Sequence, residues 1–258
     1  ENLGLLRKDR RLFISYRRTD SSEVALQLRH LFEASGYDAF LDTHDVRPGD
    51  PFQEVLWQRM LDSDLVVMLD SPYFLGSRWT KEELAKAEAL TVGILQIVWP
   101  GHTPAPHSDL CQRLYLKATD FNGRALRPHA INSIAKAVEG LRARCLAARY
   151  NNLVREFCDE AVMAGATTAV QPQRYVLATL KNRKRVAAIP AVGVPDALRY
   201  YNASLRFPGR GRKAELAMLL YDHRGLKENW SEFLRWLDRH LPVKAIRITE
   251  VAAEIRKL

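Results

Sequence analysis

Residues 71–84 read Ser71-Pro-Tyr-Phe74-Leu-Gly-Ser77-Arg-Trp79-Thr80-Lys-Glu-Glu83-Leu84, and this stretch joins a strand to a helix. Shortly before it, Leu65-Val-Val-Met-Leu69 is a short apolar run that is typical of a buried strand. After it, apolar residues recur at helical spacing, and Thr80 followed by Glu83 forms a capping-box pattern that predicts a helix start near Thr80. The stretch therefore lies at the carboxyl end of a strand, where open α/β sheets bind their ligands.

Strand and helix patterns alternate through the first part of the chain. Strands are predicted at 12–16, 39–41, 65–69, 93–98 and 114–118. Helical patterns occur at 24–36, at 51–60, from residue 80 onward and at 131–146. The last of these patterns extends toward Met163, because only Gly140 interrupts it. Repeated strand–helix units with short connections predict a parallel sheet with helices on both faces.

Two further blocks precede this stretch: Leu12-Phe-Ile-Ser-Tyr-Arg-Arg-Thr-Asp20, and Asp42-Thr-His-Asp-Val-Arg47-Pro48-Gly49-Asp50. In this order and spacing, the three blocks resemble a Toll/interleukin-1 receptor (TIR) domain of the bacterial, NAD-cleaving type. The resemblance covers residues 9–148 and implies a flavodoxin-like α/β fold with helices on both faces of a parallel sheet. It does not extend to the rest of the chain, so we expect a TIR domain at 1–148 and a second domain at 149–258.

The spacing Ser77-x-Trp79-x-x-x-Glu83 matches the family box that holds the catalytic glutamate of NAD-cleaving members. Cleavage of the bond between nicotinamide and ribose generates an oxocarbenium-like centre, which a carboxylate stabilises or traps. Nicotinamide is a good leaving group, so the reaction needs no general acid. The resemblance therefore implies that Glu83 is catalytic. The alternative is that Glu83 only completes the capping box with Thr80.

The resemblance also places Ser77 and Trp79 beside the substrate. An indole at this position can stack on a flat ring or close the apolar wall behind it, and plain packing is the alternative explanation for Trp79. The chain departs from the family pattern at Thr80, where members frequently carry Cys. That departure removes a thiol and affects only the local wall of the pocket.

Further substrate contacts are predicted after the first and second strands. The resemblance points to Ser15, Tyr16 and Arg17 at the end of the first strand. Arg17 suits a pyrophosphate because the guanidinium fork binds two oxygens, whereas an arginine pointing to solvent is the alternative. Arg47 lies on a loop that in the family covers the nucleotide and contacts the next TIR domain, and a plain turn is the alternative there.

The cysteines and histidines do not indicate a metal site. Cys111, Cys145 and Cys158 form no close pair, and the histidines show no zinc-site spacing with them. We therefore predict no metal and no cofactor, with NAD+ present only as substrate. Scattered thiols in odd number fit a reducing compartment, and no apolar run approaches the roughly 20 residues of a membrane span. The expected location is the cytoplasm, without a membrane partner.

The second part of the chain is basic and belongs to no recognised family. Residues 151–258 contain 19 Lys and Arg against 11 Asp and Glu, so they carry +8 of the total net charge of +9. Strands are predicted at 175–180, 186–192, 216–221 and 243–248, with helices at 195–205 and 230–241. This pattern predicts a small α/β domain.

The basic residues of this second part cluster in two predicted loops. Such clusters favour an anionic partner, either a nucleotide signal or a nucleic acid, and a solvated basic surface is the alternative. The anion-binding candidates are Lys184, Arg185, Arg210 and Arg212. We expect this domain to act as a sensor or as an assembly module.

Together these observations predict a cytosolic NAD+ glycohydrolase that releases nicotinamide and ADP-ribose, linear or cyclic. The resemblance implies a bacterial immune effector, active in antiphage defence and activated by self-association of its TIR domains. Two alternatives stay open: a non-catalytic adaptor that acts through TIR–TIR contacts, and a synthase of a nucleotide messenger. An adaptor does not need a carboxylate at Glu83, whereas the synthase differs from the glycohydrolase in its product rather than in its site.

Overall fold

The computed structural model describes residues 10–42, 60–74, 85, 87, 90–104, 111–207, 214–224 and 228–258 of the chain. The chain divides into two units, Glu1–Ala147 and Ala148–Leu258. Each unit has its own sheet and its own apolar clusters.

A sheet of five parallel strands forms the centre of the described part of the first unit. The elements, in chain order, are β1 (Arg10–Ser15), α1 (Ser22–Ala34), β2 (Tyr37–Asp42), β3 (Leu65–Asp70), β4 (Gly93–Val98), β5 (Gln112–Tyr115), β6 (Phe121–Asn122), β7 (Ala125–Leu126) and α2 (Pro128–Met163). The strand order is β2-β1-β3-β4-β5, and all neighbouring pairs are parallel. This order is that of the flavodoxin-like folds, and it confirms the predicted parallel sheet.

Apolar clusters cover both faces of this sheet. Leu65 and Leu69 of β3 pack on one face, in the cluster to which α1 and α2 contribute. Val66 packs on the opposite face, in a cluster that includes Phe74 and Ala87. Because successive side chains of a strand point to opposite faces, a strand that is apolar at every position needs cover on both sides. The continuous apolar run of β3 is thus explained by its place in the centre of the sheet.

The last strand of this sheet differs from its predicted position. The strand predicted at 114–118 is β5, which begins two residues earlier and ends at Tyr115. β5 is an edge strand whose terminal residues, Gln112 and Tyr115, are exposed, so it lacks an apolar run. The buried Leu116 lies beyond the strand, where its backbone N–H donates to the Val98 carbonyl at 2.8 Å.

A fully buried ion pair joins α2 to the segment that precedes β3. Nε of Arg142 donates to Oδ2 of Asp64 at 2.5 Å, and the two side chains are 1% and 0% exposed. The Arg142 guanidinium also lies over the Tyr37 ring, 5.7 Å from its centroid. Two opposite charges are therefore buried inside the first unit. Their mutual attraction offsets the free energy that each charge loses when it leaves water.

The helix α2 is longer than a typical helix, with 36 residues from Pro128 to Met163. This confirms that the pattern beginning near residue 131 continues past Gly140. Its first half contributes Ile134 and Val138 to a cluster of the first unit, and its second half contributes Phe157 to a cluster of the second unit. No helix within the described residues is both long enough and apolar enough to cross a membrane.

The second unit contains a mixed sheet. Its elements after α2 are β8 (Thr167–Val170), β9 (Val176–Thr179), β10 (Arg185–Pro190), α3 (Ala197–Arg206), β11 (Leu216–Tyr221), α4 (Glu228–His240), β12 (Val243–Arg247) and α5 (Val251–Arg256). The strand order is β12-β11-β10-β9-β8, with β10 to β12 parallel and β8 to β10 antiparallel. The predicted small α/β unit is confirmed.

Two clusters line the two faces of this second sheet. Tyr200 of α3 and Leu234 of α4 pack on one face, and Phe157 of α2 and Ile255 of α5 pack on the other. The placement of α3 and α4 on one face follows from two successive right-handed crossovers in the same direction along the sheet. The elements that sequence patterns missed are the hairpin β6–β7, the strand β8 and the helix α5. They are short, and β8 is exposed at most positions.

Candidate functional site

The parallel strands of the first unit end at a common edge of the sheet. The chain leaves β1 after Ser15 and leaves β3 after Asp70, and these two strands are direct neighbours. From β1 the chain continues to β2 on one side, and from β3 it continues to β4 on the other side. The switch point of the fold therefore lies between β1 and β3, which is where sheets of this type bind their ligands.

Ser15 and Tyr16, two predicted substrate contacts, are buried at this edge. Ser15 is 0% exposed and Tyr16 is 6% exposed. The Tyr16 ring belongs to the apolar cluster that also contains Leu12 and Val24. Both side chains thus support the end of β1 from inside the unit, and a direct contact with substrate stays a prediction for each.

Arg17 ties the loop after β1 to the loop after β3. Its Nε donates to Oγ1 of Thr19 at 3.1 Å, and its Nη1 donates to the Tyr73 carbonyl oxygen. The Tyr73 backbone N–H in turn donates to Oδ2 of Asp20 at 3.3 Å. The loop after β1 is closed further by Ser21, whose Oγ accepts from the Arg17 N–H at 3.1 Å. Two hydrogen bonds therefore bridge the switch point, and one of them uses the guanidinium that was predicted to bind a phosphate.

Ser71 is the first residue after β3, and it is 0% exposed. Within the part of the chain that the structure describes, its Oγ has no hydrogen-bond partner. Buried hydroxyl groups are normally bonded. The Ser71 hydroxyl is therefore a buried polar group at this edge without a partner among the described residues.

A chain of polar side chains lies beside Ser71. Asp70 is 5% exposed; its Oδ2 accepts from Nε2 of Gln96 at 2.7 Å, and its Oδ1 lies 3.0 Å from Nε2 of His102. Oε1 of Gln96 accepts from Nε of Arg113 at 3.2 Å. Among the described residues, no group of three or more His, Cys, Asp or Glu side chains could hold a metal ion. The chemistry available here is that of a buried carboxylate bonded to an imidazole.

The predicted catalytic residue Glu83 and its neighbours Ser77 and Trp79 lie outside the described residues, as does Arg47. The residues that flank the 75–84 segment are described. Phe74 is 3% exposed and Ala87 is 0% exposed, and both belong to the same apolar cluster as Met68. The described residues on either side of the segment with Glu83 thus pack on one face of the sheet. Side chains of β3 at even positions, including that of Asp70, point to this face.

The anion-binding candidates of the second unit have partners of their own where they are described. Nζ of Lys184 donates to the Leu258 carbonyl oxygen at 2.6 Å. The Arg185 backbone N–H donates to the Glu215 carboxylate, and this bond lowers the pKa of Glu215 from its usual value. Arg210 and Arg212 lie outside the described residues. A common anion position formed by these four candidates therefore stays a prediction.

The sequence patterns did not identify Asp70, Gln96 and His102 as site residues. Two of these residues carried a usable signal, since Asp70 ends an otherwise apolar run and Gln96 interrupts another. A polar residue inside a strand that is buried on both faces needs a bonded partner. His102, which follows Pro100-Gly101, had the appearance of an ordinary loop residue. Its role depends on the fold that brings it to Asp70.

Comparison with known proteins finds a match within the first unit. The family model of the TIR domain matches residues 12–128 of the chain. No curated protein matches the chain. The matched range includes β2 to β5 completely, the Leu12–Ser15 part of β1, and the residues of the edge described above.

Proposed function

Because residues 12–128 of this chain form a TIR domain, we propose that the protein cleaves NAD+ at the bond between nicotinamide and ribose. The observation that carries this proposal is the position of Glu83 within the matched range, at the family spacing from Trp79 and in the segment that follows β3. The proposed products are nicotinamide and ADP-ribose, in linear or cyclic form. We further propose that the protein is a cytoplasmic effector of bacterial antiphage immunity.

The chemistry assigns a separate task to each part of the site. The Glu83 carboxylate stabilises the positive charge that develops on the ribose as nicotinamide leaves. Arg17 has a guanidinium at the switch point, where a pyrophosphate would lie in a sheet of this order. The Ser71 hydroxyl, buried and without a partner among the described residues, adds one polar contact at the same edge.

The proposal is tested by incubating the full chain with NAD+ and resolving the products by mass spectrometry. We expect nicotinamide and an ADP-ribose product in equal amounts. Specific activity should rise with protein concentration, because we propose that self-association of the TIR domains activates the protein. Head-to-tail contacts between them need not form a closed ring and can extend into filaments. If no nicotinamide is released at any protein concentration, NAD+ cleavage is refuted and the non-catalytic adaptor is favoured. Nicotinamide released with a conjugated nucleotide would identify a messenger synthase.

For the second unit we propose a phosphate-bearing ligand, because residues 151–258 carry +8 of the net charge and their charge would attract a polyanion. We expect the full chain to bind a labelled single-stranded oligonucleotide or a cyclic nucleotide at low salt. Replacing Lys184, Arg185, Arg210 and Arg212 with Gln should weaken that binding. Affinity that falls steeply with salt would indicate general phosphate attraction. If neither probe binds at low salt, the charge is only a solvated surface.

A further inference from the structure

The Asp70 carboxylate is bonded from two neighbouring elements. Gln96 of β4 donates to one oxygen, and His102, in the loop after β4, is bonded to the other. The two side chains of the Asp70–His102 pair differ in exposure, 7% for the carboxylate and 23% for the imidazole. The carboxylate is therefore inside the unit, and the imidazole is between it and the surface of the edge.

The bonding fixes which nitrogen of His102 can act as a base. A carboxylate only accepts hydrogen bonds, so Nε2 of His102 carries the proton that is donated to Asp70. The neutral ring then has its lone pair on Nδ1, and within the described residues Nδ1 makes no hydrogen bond. A buried carboxylate in this position also stabilises the imidazolium that forms when Nδ1 takes a proton. Arg113, bonded to Gln96, is the cation nearest to Asp70 in this chain of bonds.

The Asp70–His102 pair lies at the carboxyl edge of the sheet, and the chain continues from Asp70 toward the segment with Glu83. Asp70 is the last residue of β3. The flanks of that segment, Phe74 and Ala87, pack on the face of the sheet to which Asp70 points. Asp70 and the two flanking residues Phe74 and Ala87 thus lie on one face of the sheet.

The proposed cleavage leaves one proton to be moved. Nicotinamide departs with the electron pair of the glycosidic bond and needs no proton. The ribosyl carbon is then attacked by a water molecule or by a hydroxyl group of the nucleotide, and the O–H proton must leave as the C–O bond forms. We propose that Nδ1 of His102, held in place by Asp70, accepts this proton. This inference rests on the proposed NAD+ cleavage. It assigns His102 to the second half of the reaction, in which an O–H group attacks the ribosyl carbon.

The test uses a nucleophile that has no proton to lose. Free nicotinamide attacks the same carbon through its ring nitrogen, so exchange of labelled nicotinamide into NAD+ requires Glu83 but no base. His102→Gln keeps an N–H donor for Asp70 and removes the basic nitrogen. We expect formation of ADP-ribose to fall about 10²-fold, the size of a typical general-base contribution. Exchange of labelled nicotinamide should continue at the wild-type rate.

The chain offers a matched control in a second His–Asp pair. Nε2 of His129 lies 2.8 Å from Oδ1 of Asp120, and the His129 side chain is 62% exposed. His129→Gln should change neither product formation nor exchange. A melting curve of His102→Gln that matches the wild type, together with retained exchange, shows that the variant is folded.

Each other outcome overturns the inference. If His102→Gln lowers hydrolysis and exchange equally, His102 only supports the structure of the edge. If it lowers neither, the proton leaves by another route. If the wild-type protein hydrolyses NAD+ but does not exchange labelled nicotinamide, the departure of nicotinamide and the attack on the ribosyl carbon are not separable steps. The inference depends on that separation. If the wild type shows neither activity, the proposed NAD+ cleavage itself is wrong.

Discussion

Glu83→Gln is expected to lower NAD+ cleavage by about 10³-fold, the upper range for the loss of one group that stabilises developing charge in a transition state. The substitution keeps the shape and most of the hydrogen-bonding capacity of the side chain. It removes the negative charge that, in the proposed mechanism, stabilises the ribosyl cation. Release of nicotinamide and exchange of labelled nicotinamide should both fall, which distinguishes this variant from His102→Gln. Both rates are measured by mass spectrometry with isotopically labelled nicotinamide.

The adjacent Glu82 provides the control for this prediction. Glu82→Gln makes the same chemical change one residue earlier, at a position outside the family spacing. It should retain most of the wild-type activity. Equal losses in the two variants would show that the charge of the segment matters and that Glu83 has no particular role. Wild-type turnover by Glu83→Gln would remove Glu83 from the mechanism.

Arg142→Leu should destabilise the first unit by about 3–5 kcal/mol, the usual cost of leaving one partner of a buried ion pair alone. The Asp64 side chain is 0% exposed and would lose the guanidinium that compensates its charge. Because the protein has two units, a single melting temperature does not separate their stabilities. Hydrogen exchange of the β3 amides, followed by mass spectrometry, measures the stability of the first unit directly.

An exposed pair in the same unit gives the comparison. Nε of Arg29 lies 2.7 Å from Oε1 of Glu33, but the two side chains are 43% and 40% exposed. Arg29→Leu should cost about 0–1 kcal/mol, as is usual for surface pairs. The double variant Arg142→Leu with Asp64→Leu should be more stable than Arg142→Leu alone, since it removes the Asp64 charge that Arg142 no longer compensates. A cost for Arg142→Leu no larger than that for Arg29→Leu would contradict the assigned role of the buried pair.

The core of the fold was predictable because its strands are apolar along their whole length. β3 and β4 are buried on both faces, so their runs in the sequence are nearly continuous, and the position of each was predicted within one residue. β8 and the edge strand β5 are exposed at several positions, so they show neither a continuous run nor clear alternation. Exposure at the edge of a sheet thus accounts for both the missed strand and the displaced one.

The polar interior was not predictable in the same way. Asp64 and Arg142 are 78 positions apart in the chain, and Asp70 and His102 are 32 apart. Nothing in the local pattern of either member indicates its partner, because the contact depends on strand order and on register. Tyr16 follows the first strand and stays a predicted substrate contact, and nothing in its local pattern indicates that its ring packs in the apolar cluster. A position at the carboxyl edge does not determine whether a side chain points outward or inward.

The bond between the Arg17 guanidinium and the Tyr73 carbonyl has a consequence for affinity. A nucleotide that recruits Arg17 must take the guanidinium from this carbonyl, so binding exchanges one acceptor for another. Only molecules in which Arg17 is already released bind with full affinity. The apparent dissociation constant is therefore the intrinsic constant divided by the fraction of such molecules. After release, Tyr73, three residues beyond the end of β3, keeps its backbone N–H bond to Asp20. Binding of the proposed dinucleotide at this edge would therefore cost one of the two hydrogen bonds that bridge the switch point.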